Sequence, residues 1–124
     1  MTLVEVLVSL VIVFIIFLGL SASGLVVLNE NIKNEMRDEA VNVADNAVQT
    51  ARRTNFDTLI TLNNVTQVVP RRIRNVDRNY TVKWKVNILG TGTDADNVTI
   101  TVTWPVLNQA NNSSHTVATI VRRR

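Results

Sequence analysis

Hydrophobic and polar residues follow three different patterns along the chain. Residues 6–28 form an uninterrupted apolar run in which no side chain carries a charge. At a rise of about 1.5 Å per residue, a helix of this length spans the roughly 30 Å hydrocarbon core of a bilayer. We therefore predict an apolar helix half over residues 1–28 that lies in a membrane or in an equally apolar environment.

The second pattern begins near residue 29, where apolar residues recur at three- and four-residue spacing among charged ones. This spacing places them on one face of a helix, and no proline or glycine interrupts residues 25–69. We predict that the same helix continues to residue 54, with an amphipathic half over 29–54. Its apolar stripe consists of Ile32, Met36, Ala40, Val43, Ala47 and Ala51.

The third pattern is strict alternation of apolar and polar residues, which is typical of half-buried strands. We expect a globular head over 55–124 with about three antiparallel strands, at residues 80–88, 98–104 and 115–121. Trp84 and Trp104 fall on the apolar face, so they are expected in the core of the head. The predicted fold class is α+β, a long N-terminal helix packed on a small antiparallel sheet.

The segment before the first predicted strand is less regular. Asn63-Asn64 and Val69-Pro70 indicate turns, because asparagine and proline favour turn conformations. We expect the connection from Phe56 to Asn79 to wrap around the helix without a strand of its own.

Charge is distributed unevenly. Residues 1–29 contain Glu5 alone, residues 30–57 contain six acids and four bases, and residues 58–124 contain three acids and nine bases, which together give +3. The chain has no cysteine, and His115 is its single histidine. These counts exclude a thiol nucleophile, a cysteine-based metal site and a multi-histidine metal site within one chain. We therefore predict a protein that is not an enzyme and needs no cofactor or metal.

Glu5 is the exception in the apolar segment. A carboxylate within a membrane helix costs roughly 2.5 to 3.5 kcal/mol on insertion scales unless a partner neutralises it. That partner can be the positive N-terminus of its own helix or the terminal amine of a neighbouring chain. A plain membrane anchor is the alternative, whereas a secretory signal peptide would carry bases before the apolar run.

Residues 1–10, Met-Thr-Leu-Val-Glu-Val-Leu-Val-Ser-Leu, are similar to the mature N-terminus of type IV pilins and of type II secretion pseudopilins. Thr2 and Glu5 match the family pattern residue for residue, and Met1 is the less common first residue. The resemblance implies that a prepilin peptidase removes a basic leader before Met1 and that the new amine is methylated. The chain is then expected to be the processed form. The strands 98–104 and 115–121 resemble, more loosely, those of minor pilins and I-type pseudopilins.

The resemblance also implies a life cycle. The subunit is expected in a bacterial inner membrane first, and then, through an assembly platform, in an extracellular or periplasm-spanning homopolymeric helical filament. Filaments of this family serve adhesion, motility or protein secretion. Glu5 is expected to pair with the neighbour's Met1 amine, and the filament core is expected to contain Leu3, Val6, Leu7, Leu10, Val13, Phe14 and Phe17. A minor pilin or pseudopilin of a pilus tip or secretion initiation complex, and a DNA-binding pilin, are the alternatives.

One departure from the family concerns the middle of the apolar helix. Many pilins carry a proline near position 22, where this chain has Ala22. Gly19 and Gly24 flank that position, and each costs a helix about 1 kcal/mol relative to alanine. We predict a weak point of the helix there; the alternative is that these small residues permit close helix packing.

The predicted head has two further polar features. The bases Arg71, Arg72, Arg74 and Arg78 form a basic surface, which we expect to contact acidic residues of neighbouring subunits, with nucleic acid as the less favoured partner. Asp94 and Asp96 lie in an oxygen-rich stretch, and related pseudopilins hold calcium in this region. Two carboxylates without EF-hand spacing are weak metal candidates, so a solvated hairpin turn is the favoured interpretation.

Overall fold

The computed structural model of the chain describes residues 2–90, 94–106 and 110–123. The chain divides into two compact units, one up to Asn34 and one from Glu35 onward. Helix α1, Leu3–Arg53, supplies the first unit with its N-terminal part and the second with its C-terminal part. The continuous helix predicted from the sequence is therefore present over the described residues.

The second unit, Glu35–Arg124, combines the end of α1 with a four-stranded sheet. From here on, the word head refers to this whole unit and not only to residues 55–124. After α1 come a short helix α2, Phe56–Leu59, and a single 3-10 turn, Ile60–Leu62. The strands pair in sequence order and all neighbours are antiparallel, so the sheet is a meander. The strands are β1, Thr66–Ile73; β2, Val76–Ile88; β3, Ala95–Trp104; and β4, Ser113–Arg122.

The predicted apolar stripe of α1 forms the helical side of the core. Five of its members lie in the head or at its start, and those from Met36 to Ala51 are buried. Because most of them are alanines, the sheet can approach the helix closely. On β2 and β3 the alternate residues are buried, including Trp84 and Trp104, which are 4% and 5% exposed. The predicted α+β fold, a long helix packed on an antiparallel sheet, is confirmed.

The strand β1 is a correction to the expected wrapping connection. Val69-Pro70 is not a turn, because both residues lie in β1 and pair with Tyr80 and Asn79 of β2. Proline lacks an N–H donor and is tolerated on an edge strand, where one side of the backbone needs no partner. β1 is such an edge strand.

A two-residue turn, Arg74-Asn75, joins β1 to β2. Both residues have positive φ angles, 49° and 64°, as a type I′ hairpin requires. Asparagine tolerates this conformation, whereas arginine does so at a cost in backbone strain. Neither Asn-Gly nor Asp-Gly occurs at this point, which explains why the hairpin was not predicted from the sequence.

The three predicted strands are present and longer than expected. β3 begins at Ala95, so Asp96 and Asn97 belong to the strand and pair with Ile88 and Asn87 rather than lying in the loop. Residues 91–93, in the middle of the expected loop, lie outside the described residues.

Candidate functional site

The first candidate site is the start of α1, where Thr2 and Glu5 exchange hydrogen bonds. The Thr2 backbone N–H donates to Glu5 Oε2 over 3.3 Å, and the Glu5 backbone N–H donates to Thr2 Oγ1 over 3.3 Å. This reciprocal pair is a capping box, the arrangement that a Thr-x-x-Glu sequence forms at a helix N-terminus. Ser9 adds a hydrogen bond from its hydroxyl to the Glu5 carbonyl, 2.8 Å long.

The capping box gives Glu5 a local structural role that was not predicted from the sequence, although the Thr-x-x-Glu motif is present at residues 2–5. Two otherwise unpaired N–H groups gain acceptors, which matters most in an environment without water. Only one carboxylate oxygen takes part, and its donor is an uncharged backbone N–H, so this contact supplies no opposite charge. Met1, the proposed partner and methylation site, lies outside the described residues.

The apolar run of α1 exposes its side chains on every face. All seven residues expected in a filament core are exposed in the single chain, from 46% for Val6 to 79% for Leu3. A helix that is apolar all round is stable only when lipid or protein covers it. By length and composition, α1 contains a segment that could cross a membrane.

The predicted weak point at Gly19 and Gly24 lies within continuous helix in the single chain. The hydroxyls of Ser21 and Ser23 donate to the carbonyls of Phe17 and Gly19, over 2.9 Å and 3.1 Å. Such bonds to the preceding turn compete weakly with the helix's own hydrogen bonds and favour bending. A methyl group added at either glycine would meet nothing within 4 Å. The prediction of a weak point in the assembled state remains a prediction.

The second candidate site is the basic surface of the head. Arg74 Nε lies 2.8 Å from Glu35 Oε2, and Arg71 Nε lies 3.3 Å from Glu39 Oε1. Both acids belong to α1 of the same chain. In the single chain these two pairs hold β1 and its turn to the helix, and the expected contact of the basic surface with acidic residues of a neighbouring subunit stays a prediction.

The remaining two bases of that surface behave differently. Arg72 Nε lies 3.8 Å from Asp77 Oδ1 across the β1–β2 hairpin, and both side chains are well exposed. Arg78 is half-buried and has no ion pair within the described residues. The four arginines therefore do not form one free basic surface.

Four other arginines lie close together in the fold, and their proximity was not predicted from the sequence. Arg52 and Arg53 end α1, and Arg122 and Arg123 end and follow β4. Together they line an open cleft of about 600 Å³ at one end of the head. The sequence shows two separate runs of arginine, and only the fold brings the runs together. We call these four residues the arginine cluster.

Local contacts fix part of the arginine cluster. The guanidinium of Arg123 lies 5.2 Å from the centre of the Phe56 ring and pairs with the Asp57 carboxylate. The Arg52 guanidinium donates to the Thr119 hydroxyl over 3.5 Å. Within the described residues, neither Arg53 nor Arg122 has an acidic partner. One cluster member is thus paired with an acid, and the other three present positive charge.

The weak metal candidates do not form a site in the described part of the chain. Asp96 is buried on the inner face of β3, whereas Asp94 is exposed before that strand. The backbone carbonyl of Asp94 accepts a hydrogen bond from the Arg123 N–H, 2.8 Å long. Among the described residues, no three acidic or histidine side chains come together as metal ligands would.

Comparison of the chain with models of known protein families, with curated proteins and with solved structures found no match. Functional assignment therefore depends on the N-terminal sequence pattern and on the geometry of these two units.

Proposed function

We propose that this chain is a structural subunit of a type IV pilus-like extracellular helical filament, assembled from a bacterial inner membrane. The observation that carries the proposal is the charge-free part of α1 over residues 6–28, which is exposed on every face and preceded by Glu5. The second unit supports it, because a helix packed on an antiparallel meander is the head expected for a pilin.

The exposed apolar surface needs two successive environments in such a subunit. Lipid covers residues 3–28 before assembly, since this segment is long and apolar enough to cross a bilayer. In the filament, the same side chains pack against those of other subunits. Exchanging lipid for protein gains little hydrophobic energy, so packing contacts and electrostatics must drive the transfer.

Glu5 supplies the electrostatic part of the proposal. The capping box offers this carboxylate no opposite charge, and an uncompensated charge in hydrocarbon is costly. The terminal amine of an adjacent subunit offers the opposite charge at the same depth. Pairing the two selects one register between subunits, because any other offset leaves both charges buried and unpaired. Cleavage by a prepilin peptidase and methylation of Met1 complete the proposed maturation.

The capping box allows an experiment that separates the two roles of Glu5. Glutamine supports a capping box but carries no charge, whereas alanine and valine lose both features. We expect Glu5→Gln, Glu5→Ala and Glu5→Val to leave the membrane pool of the subunit unchanged. Each should reduce sheared filaments about tenfold or more, because burial of the lost charge pair no longer favours assembly.

The matched control is Thr2→Ala, which weakens the cap and leaves the charge. It should retain most filament yield. Immunoblots of membrane and sheared fractions, with electron microscopy of the latter, give the readout. Normal yield from Glu5→Gln together with loss in Thr2→Ala would assign Glu5 to capping alone and contradict the charge-pairing mechanism.

A further inference from the structure

The exposed face of α1 within the head carries acidic residues that the ion pairs leave free. Glu35 and Glu39 are used by Arg74 and Arg71 of the same chain. Asp38 and Asp45 are exposed, and neither has a salt bridge within the described residues. We call this pair the acidic face.

The two aspartates lie on the same side of the helix. They are seven residues apart, which is nearly two full turns, so they lie in one row about 10 Å apart along the axis. No lysine or arginine occurs three or four positions before or after either aspartate. The helix itself therefore provides neither aspartate with the partner that spacings of three or four would allow.

The arginine cluster is the complementary surface on the same head. Asp57 pairs with Arg123, which leaves Arg52, Arg53 and Arg122 around the open cleft. Guanidinium groups bind carboxylates through paired N–H donors, so such a cleft suits aspartate side chains. The two surfaces involve different residues of one chain, and a single copy can therefore present both at once.

We propose that the acidic face of one subunit docks against the arginine cluster of a second copy of this chain. The occupant follows from charge complementarity between two surfaces of the same head. Such a contact is heterologous: it leaves an acidic face free on one copy and an arginine cluster free on the other. Repetition then generates an open helical assembly. This inference rests on the proposed filament function and names the head-to-head contact within it.

The first test reverses the charges in the full-length chain in its assembling host. Asp38→Arg with Asp45→Arg places like charges together, as does Arg52→Glu with Arg122→Glu. Each double variant should lower sheared filaments about tenfold or more, with an unchanged membrane pool. Combining all four reversals in one chain should restore filaments, because opposite charges meet again. Lys85→Glu, on the exposed side of β2, is the control and should assemble normally.

The second test uses the absence of cysteine from the chain. Asp45→Cys with Arg52→Cys introduces two thiols about 10 Å apart on one helix, too far for an intramolecular disulfide. Mild oxidation of filaments should give a ladder of cross-linked multimers. Asp45→Cys with Lys85→Cys is the control and should give no ladder. This readout does not require that charge-reversed variants fold.

The outcomes separate the docking contact from the filament function. If the wild-type chain forms filaments, both charge-reversed double variants give the same yield, and the cysteine pair gives no ladder, the docking contact is overturned and the proposed function stays intact. No wild-type filaments under any condition would instead overturn the proposed function. Unchanged filaments with lost, salt-sensitive DNA binding in Arg52→Glu with Arg122→Glu would assign the cluster to nucleic acid and overturn the proposal.

Discussion

Among single side chains, Tyr80 connects the sheet directly to the helix. Its ring is fully buried, 6.1 Å from the centre of the Trp104 ring, and its hydroxyl donates to the Met36 carbonyl over 2.9 Å. Burial raises the pKa of Tyr80 to about 12; Glu39 and Glu35 also raise it, and Arg78 lowers it. Deprotonation of the phenol therefore lowers the stability of the folded head.

This shift predicts alkaline loss of head stability. The unfolded Tyr80 has a pKa of 10.0, so the stabilising contribution is complete below pH 10 and is lost as the pH rises toward about 12. Tyr80→Phe should remove this part of the pH dependence. Near neutral pH the variant should be less stable by about 1 kcal/mol, the usual net value of one hydrogen bond.

Tryptophan fluorescence during thermal unfolding of the detergent-solubilised full chain would measure both effects, since Trp84 and Trp104 report on the core. Trp84 lies on the same face of β2 as Tyr80. An equal alkaline dependence in Tyr80→Phe and in the unchanged chain would show that another group controls it.

Sequence reasoning at this scale succeeded where side-chain position follows backbone periodicity. Alternation on a strand fixes which face a residue occupies, so burial of both tryptophans could be predicted. It failed where a contact joins distant parts of the chain. The Tyr80 bond to Met36 spans 44 positions, and the Arg74 bond to Glu35 spans 39. No local pattern encodes such a partner.

At the element scale, the helix was predictable and the first strand was not. A 51-residue helix leaves a long periodic signal, and its boundaries at Leu3 and Arg53 are close to those expected. β1 contains Pro70, which argued against a strand, and its turn uses Arg74, which is unusual at positive φ. The ion pair between Arg74 and Glu35 holds that turn residue to α1, which helps to offset its backbone strain.

The glycines of α1 give the prediction for this scale. Replacing Gly19 and Gly24 together by alanine should stabilise the helix by roughly 1 kcal/mol per site, and neither methyl group meets a neighbour in the single chain. If the segment stretches on assembly, the variant should enter the membrane normally and assemble less well. Sheared-fraction yield and a filament map would measure this. Unbroken helix through residues 14–26 in a map of the unchanged filament would contradict stretching and favour close packing at these glycines.

The two units of the molecule differ in how their apolar side chains are covered. The head encloses its own core, and four of its basic side chains already have acidic partners within it, namely Arg71, Arg72, Arg74 and Arg123. In the described part of the N-terminal unit no residue is buried, and the large apolar side chains from Leu3 to Leu28 are exposed in the single chain. The sequence predicted the contrast between a charge-free segment and an alternating one, although the boundary after Asn34 lies inside the predicted amphipathic half 29–54. Which charges remain free for a partner could be decided only from the folded head.

The ion pairs within the head determine what effect alanine substitutions of Arg71 and Arg74 should have on stability and filament yield. Arg71→Ala with Arg74→Ala removes two partly exposed pairs, each worth about 0 to 1 kcal/mol. We expect a modest loss of head stability and near-normal filament yield, because the acids they contact belong to the same chain. Arg72→Ala with Arg78→Ala is the matched control with the same change in charge, and its stability loss should be smaller because Arg72 and Asp77 are highly exposed.

A double-mutant cycle makes this assignment quantitative. Glu35→Ala and Glu39→Ala should each cost little more once the matching arginine is gone, giving a coupling of about 0.2 to 1 kcal/mol per pair in thermal unfolding of the solubilised chain. Coupling appears in the monomer only if the pairs are intramolecular. A variant with Arg71, Arg72, Arg74 and Arg78 all changed to alanine tests the alternative. If its unfolding were unchanged while its filaments fell apart, the pairs would act between subunits. If its filaments remained and salt-sensitive DNA binding disappeared, the DNA-capturing pilin would become the better description of this surface.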